Sequence, residues 1–431
     1  MSLSYPSMRA FTNPNPYLLA KSLLPHSLAA RVTLDDMVVP SSGQARFMPS
    51  KNHSLQSQLL FAVPALWGFV FSLSPIAIAD AAEKPLKVFV LAGQSNMDGQ
   101  ADVRTIDFLG EDSDPVRARL LGAFKSDAGD LMTRDDVWVA NAGVYDKLQP
   151  GFGGRRNYDK LGSKIGPEYA FGYYLGEAFG EQVLLIKYAP GGKSLHVDFR
   201  PPSAGKTGNE KIDAKVLSRE VAVKWNDGRE EPVVGLEYRK LVRYVQATLS
   251  SLGERFPAYD ESQGYELAGL VWFQGFNDMF DVTGRQQYGQ NLGHFINDLR
   301  RDLNAPEMKV VVGVMGVNGP HNEENPKQRD VRNGQRSINQ LAEMKGNALA
   351  IETAGFCHPD IVAIKTAGWL NKNRDLKTMP LTEQEQAMLA RATSDKGYHY
   401  YGEGRFFILA GKAFAESMLQ LLGENESAQS Q

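Results

Sequence analysis

The stretch KVFVLAGQSNMDGQ, residues 87–100, runs from a block of β-formers straight into a turn of small and amide side chains. Val88, Phe89, Val90 and Leu91 show no polar alternation, which is the pattern of a short strand covered on both faces. Gly93-Gln94-Ser95-Asn96 reads as the turn where that strand stops. In open α/β sheets ligands bind outside the carboxyl ends of the strands. A serine set there is either the N-cap of the next helix or a nucleophile, and the remaining sequence has to separate the two.

Similar apolar blocks recur at 136–140 (DVWVA), 182–188 (QVLLIKY), 268–273 (AGLVWF) and 308–315 (MKVVVGVM). Helical patterns lie at 167–179, 236–253, 285–303 and 404–422. The alternation predicts an α/β fold, a three-layer sandwich with a central parallel sheet wrapped by helices. A single domain over 83–422 is expected, with loop insertions at 100–135, 191–232 and 358–397 and a disordered tail at 423–431. Such insertions shape binding faces; the polar segment 198–230 reads as a lid or as a solvated surface loop.

With 431 residues, 42% hydrophobic content and a formal net charge of -3, the chain has the composition of a globular protein without a basic footprint for nucleic acid. The single cysteine, Cys357, excludes an internal disulfide and a cysteine-based zinc cluster. Residues 59–73 (LLFAVPALWGFVFSL) are too short and too interrupted by Pro and Gly for a comfortable membrane span. Followed by SPIAIADAA, they read as a secretory h-region with its cleavage site after Ala79 or Ala81. Met48 offers a start with Lys51 as the positive charge. Residues 1–47 then read as a start-site artefact or disordered leader, residues 48–81 as a signal peptide, and the mature chain as exported, periplasmic or extracellular, without stable membrane insertion. An uncleaved anchor is the alternative.

Two other apolar blocks also end in turns suited to chemistry. APGGKSL at 189–195 brings Gly191 and Gly192 after QVLLIKY, and WFQGFND at 272–278 presents Gln274, Asn277 and Asp278. All three turns are expected on one edge of the sheet. A serine esterase needs a hydroxyl, a base within hydrogen-bond reach, and donors aimed at the oxyanion. Ser95 supplies the hydroxyl, while its own N–H and that of Gly191 or Gly192 are backbone donors. The side-chain amide of Gln274 or Asn277 completes the set. Of seven histidines, His26 and His53 fall in the leader, His294 in an amphipathic helix and His321 in a polar loop. His196, His358 and His399 remain. His399, in DKGYHYYGEG just before the last helix, sits on a loop able to fold over the sheet edge.

GQSNM after a hydrophobic strand, a GGKSL turn, WFQG and a late histidine before a glycine-containing helix resemble the SGNH hydrolase superfamily, whose fold is flavodoxin-like. Within it the sequence is similar to the sialate O-acetylesterase and acetyl xylan esterase branch, the carbohydrate esterase family 6-like group, over roughly residues 86–420. The resemblance implies removal of O-acetyl groups from carbohydrates without metal or cofactor. It implies Ser95 as nucleophile, Gly191 or Gly192 and Gln274 as oxyanion donors, and His399 as base. Two departures stand out. The branch usually reads QGE where this sequence has QGF, and GFND also fits the wider superfamily's G-x-N-D block, which keeps Asn277 beside Gln274 as amide donor. The superfamily's triad aspartate precedes its histidine by three residues, where this sequence has Lys396. Asp395 is the preferred carboxylate, reached through a one-residue bulge, with Glu403 or a backbone carbonyl as alternatives. A carbohydrate-binding protein with an impaired triad and a lipid or thioester hydrolase are the rival functions. Trp272 and Phe273 are expected in the core, and Arg200 in a loop salt bridge.

Overall fold

Seven strands form the central sheet: β1 (Leu86–Gly93), β2 (Arg134–Asn141), β3 (Val144–Leu148), β4 (Val183–Tyr188), β5 (Tyr265–Phe273), β6 (Lys309–Val314) and β7 (Ala348–Glu352). Their order is β7-β6-β5-β1-β4-β2-β3, and every neighbouring pair is parallel except β2 and β3. This computed structural model describes residues 84–154, 160–217, 222–224, 228–320 and 325–424. The expected leader and signal peptide, His321 and residues 425–431 of the expected tail lie outside the described residues. Among the described residues no helix is long and apolar enough to cross a membrane.

Both faces of the sheet are covered, which is why its central strands read as unbroken apolar runs. Successive residues of a strand point to opposite faces, and β5 shows the consequence. Trp272 packs against Phe295 of α3 (Tyr288–Asp302), ring centres 4.4 Å apart, while Phe273 packs against Phe414 of α6 (Gly404–Leu422) at 5.5 Å. Helix α1 (Pro167–Phe179) shares the α6 side, where its Phe171 meets Phe89 of β1. The two helices approach closely because Gly411 has no side chain: a Cβ there would fall 2.3 Å from the Pro167 carbonyl oxygen. Helix α2 (Leu236–Leu249) lies on the α3 side, with Tyr238 against Phe295.

Several elements differ from expectation. Strand β3 is an antiparallel edge strand between β2 and α1, where no element was expected, and its Lys147 pairs with Asp135 across the edge. Charges of this kind suit an edge strand. Strand β7 closes the other edge. Helix α4 (Pro326–Arg336) escaped the pattern because its buried face is made of Gln328, Val331, Arg332 and Gln335. The 358–397 insertion holds the helix Pro359–Lys365 and α5 (Glu383–Ala392), the latter started by a Thr382/Glu385 capping box. Segment 191–232 holds a helix at Glu210–Leu217 and a small antiparallel pair, Ala222–Lys224 with Glu230–Pro232.

Strand β1 is the point where the chain reverses direction across the sheet. From it the chain first builds β2, β3 and β4 on one side, then crosses to build β5, β6 and β7 on the other. Such a switch point opens a crevice at the carboxyl ends of the strands.

Candidate active site

The three expected turns follow three adjacent strands, β4, β1 and β5, whose ends are level: Ala92 of β1 is in register with both Tyr188 and Trp272. Ser95 opens a single helical turn, Ser95–Asp98, and is half-buried. Its approach needs Gly93, where a Cβ would fall 2.3 Å from the Phe273 carbonyl oxygen. The turn after β4 abuts it, since a Cβ built on Gly191 would stand 3.8 Å from the Ser95 Cβ. Gly192 takes a left-handed conformation, φ +72°, that favours glycine.

Hydrogen bonds then stitch the turns together. The Gln94 side chain, buried beneath Ser95, accepts from Gln274 Nε2 (3.1 Å) and from the Gly275 and Asn277 N–H groups (3.3 and 3.4 Å), and donates to Asn277 Oδ1 at 3.2 Å. Asn277 Nδ2 donates to the Gly192 carbonyl at 2.9 Å. Asp278 accepts from the Leu195 and His196 N–H groups, each at 2.9 Å. Burial pushes the Asp278 carboxyl up to about 6, against the pull of Gln274 and these two N–H groups. The sequence alone gave no structural part to Gln94 or Asp278.

Gln274 and Asn277 occupy different surroundings. Gln274 is 2% exposed, and its amide nitrogen faces three acceptors: Asp278 at 2.6 Å, the Lys193 carbonyl at 3.0 Å and Gln94 at 3.1 Å. Its two amide hydrogens are therefore committed inside the protein. The placement does not favour the preferred donor. Asn277 is half-buried, and the Gly192 carbonyl takes one of its two amide hydrogens.

The histidine sits in a tight loop. The Ser394 and Asp395 N–H groups both bond the Tyr401 carbonyl (2.8 and 2.9 Å), and the His399 and Tyr401 N–H groups both bond the Lys396 carbonyl (2.9 and 3.0 Å). Closing it places Tyr400 and Tyr401 at φ +52° and +56°, a strained region for bulky side chains that tertiary packing has to hold. Tyr400 is fully buried, stacked 3.6 Å from Phe406 and 5.9 Å from Phe273. Tyr398 lies 5.7 Å from Phe276, in the turn that carries Asn277. His399 is thus bracketed by two tyrosines that both pack on the end of β5 or the turn after it. Lys164 makes a third tie, donating to Asp395 and to Gln100, both at 2.9 Å.

Asp395 Oδ1 and His399 Nδ1 stand 3.2 Å apart. Burial disfavours the Asp395 anion, yet the Lys396 N–H, Lys164 and His399 outweigh it and hold the carboxyl below its usual range. An ionised Asp395 can only accept, so Nδ1 carries the proton and Nε2 is left as a free base. Burial lowers the imidazole's pKa, partly offset by Asp395. The loop absorbs the extra residue of the D-x-x-x-H spacing: Lys396 points to solvent, and its N–H donates to Asp395 Oδ1 at 2.7 Å. Glu403, the other carboxylate considered, is buried and accepts from the His358 N–H at 3.2 Å.

His196 and His358 are buried; His196 lies 3.7 Å from Asp281, and His358 packs on Phe108 at 5.2 Å. Among the described residues Arg200 makes no loop salt bridge of the kind expected. It is buried and donates to the carbonyls of His196, Ala204, Gly205 and Lys206, fixing the start of the 198–217 segment. A further buried group was visible in sequence as the one charge in a strand-like run. Lys187 of β4 donates to Glu168 of α1 (2.7 Å), to the Phe152 carbonyl (3.1 Å) and to the Asp98 carbonyl (2.7 Å), which closes the Ser95 turn.

Residues 85–368 match the family described as "SASA: Carbohydrate esterase, sialic acid-specific acetylesterase", a class of carboxylic ester hydrolases. The match covers more than half of the chain and all three turns, and it ends before the histidine loop. The chain belongs to that family of carbohydrate esterases. A curated relative, "Probable carbohydrate esterase At4g34215" of Arabidopsis thaliana, is 35% identical over 48 residues, 11% of this chain and 18% of the relative. The chain's match therefore spans less than a fifth of that relative's length. The solved structure of the At4g34215 protein is similar at 15% identity and TM-score 0.41, over 78% of this chain and 98% of that one. "Crystal structure of NanS" is similar at 15% identity and TM-score 0.44, over 80% and 99%. XAC1771 of Xanthomonas citri, described as a carbohydrate acetylesterase, is similar at 14% identity and TM-score 0.36, over 77% and 57%.

Proposed function

We propose that the protein is a serine esterase that removes O-acetyl groups from carbohydrates through an acetyl-Ser95 intermediate. His399 Nε2 takes the Ser95 hydroxyl proton as the oxygen attacks the acetyl carbonyl, and Asp395 steadies the imidazolium. The developing oxyanion is met by the Ser95 N–H, the N–H of Gly191 or Gly192, and the second amide hydrogen of Asn277. Collapse breaks the bond to the sugar oxygen, which leaves with the proton held by His399. Water then attacks the acetyl group with His399 again as base, releasing acetate and restoring Ser95.

The observation that carries this reading is the stitching of the Ser95, Gly191–Gly192 and Asn277 turns to one another under a loop whose histidine faces its own carboxylate. Membership of the carbohydrate esterase family supports the substrate class. The apolar block at 59–73 and the Ala77-Ile78-Ala79 pattern support export to a compartment where polymeric glycans are met. Acetate release from 4-nitrophenyl acetate and acetylated xylan tests the chemistry, with wild type beside Ser95→Ala and His399→Ala. Both variants are expected to lose roughly 10³-fold or more in kcat. The acid limb of the wild-type kcat/KM profile is expected below the ordinary histidine value of 6.5, because burial favours the neutral imidazole that acts as base. Turnover retained in Ser95→Ala would overturn the proposal.

A further inference from the structure

Three aromatic rings beside the site have no part in the catalytic steps. Phe276 and Phe280 belong to the short helical segment Phe276–Phe280 directly after β5, the segment that also holds Asn277. Their ring centres are 5.5 Å apart, with 73° between the planes. Phe276 continues to Tyr398 at 5.7 Å, and Tyr398 stands edge-on 4.5 Å from the His399 imidazole. Phe280 is 61% exposed, and Val282 beside it is 53% exposed.

A single exposed apolar residue is ordinary on a protein surface. This one ends a continuous row of rings whose other end touches the histidine. Trp272 and Phe273, the aromatic residues just before the turn, are buried in the core and cannot meet a ligand. Aromatic faces carry partial negative charge and take up groups that present a flat apolar face with slightly positive hydrogens. A pyranose ring offers such a face of C–H groups, with its hydroxyls and acetyl esters around the rim.

We infer that Phe276, Phe280 and Tyr398 form the subsite that holds the sugar ring of the acetylated substrate, so that an acetyl group on the rim reaches Ser95 and His399. This rests on the assignment of Ser95 and His399 above. The platform sets preference for sugar esters over small esters. It acts through binding, so its loss appears in KM more than in kcat.

The test uses the full-length chain and acetate release from three esters: acetylated xylo-oligosaccharide, an O-acetylated sialic acid, and ethyl acetate, which has no ring to stack. For whichever sugar ester is turned over, Phe280→Ala is expected to raise KM about 3- to 10-fold, in line with the strength of aromatic contacts. The ratio of kcat/KM for the sugar ester to that for ethyl acetate should fall by a similar factor. Phe280→Trp, which keeps a ring at the position, should restore most of the ratio. An unchanged ratio in both Phe280→Ala and Tyr398→Leu would overturn the inference, as would wild-type turnover of ethyl acetate with neither sugar ester cleaved. Failure of the catalytic assignment would look different, as turnover of every ester persisting in Ser95→Ala.

Discussion

Asn277 and Gln274 share one turn and one functional group, yet their surroundings give them different work. Gln274 lends its amide to Asp278, Gln94 and the Lys193 carbonyl, all within the protein. Asn277 gives one hydrogen to the Gly192 carbonyl and is half-buried. Removing an oxyanion donor costs the transition state, whereas removing a buried structural amide strands its partners. Asn277→Ala is accordingly expected to lower kcat by roughly 10²-fold with little change in KM, and its lost bonds to Gln94 and Gly192 to lower stability by about 1 kcal/mol. Gln274→Ala should instead lower stability by about 1–3 kcal/mol. Steady-state kinetics and denaturant unfolding of the two variants check the assignment; the opposite pattern would return the donor role to Gln274. The sequence showed both amides and Asp278 in the same motif but not how they pair, because the other partners, Gln94, Gly192 and the Lys193 carbonyl, lie in turns distant along the chain.

Strand β4 and helix α1 meet the Ser95 turn through one ion pair, Lys187 with Glu168, whose side chains are both buried. Taking away one partner of a buried pair leaves an uncompensated charge in a dry site. Lys187→Met is expected to destabilise the protein by roughly 3–5 kcal/mol, and Lys187→Met with Glu168→Leu by less than the single change. Chemical denaturation of both variants measures the difference, and equal losses would show that the pair itself is not what holds these elements. At this scale legibility followed the chemistry of burial. Strands β1, β4, β5 and β6 and helices α1 and α6 were readable because their buried faces are apolar. Helix α4 was hidden because it buries Arg332 against the Met315 and Val317 carbonyls, and Gln335 against Gln274 and Met315. Edge strands β3 and β7 were hidden because they are short and only partly covered. Asp395 was a candidate partner of His399 only through the family resemblance, one residue beyond the expected position that Lys396 occupies. Its support by Lys164 was not legible, since residue 164 reaches 395 only through the fold.

For the whole molecule, buried carboxyls tie stability to pH. Glu403, fully buried at the start of α6, has its carboxyl pushed up to about 8 by burial, with Arg405 and the His358 N–H pulling the other way. Its folded value lies above the ordinary 4.5, so the folded state binds this proton more tightly than the unfolded chain does. The contribution is fully present below pH 4.5 and is lost as pH rises through about 8. Asp278, pushed up to about 6, acts in the same sense over a narrower range. Glu403→Gln stays neutral throughout. Its Tm relative to wild type is therefore expected to rise from pH 5 to pH 9, on the order of several degrees, as read by thermal unfolding across that range. A Tm difference independent of pH would mean that Glu403 is not protonated in the folded protein at neutral pH. The same burial commits Glu403 to the His358 N–H inside the core.

The central claim, that Ser95 is the nucleophile of an esterase, is tested most directly by active-serine phosphonate labelling followed by peptide mass mapping. A single adduct is expected on the peptide containing Ser95, absent in Ser95→Ala and formed far more slowly in His399→Ala. An adduct on another serine, or no adduct in an enzyme that releases acetate, would contradict it.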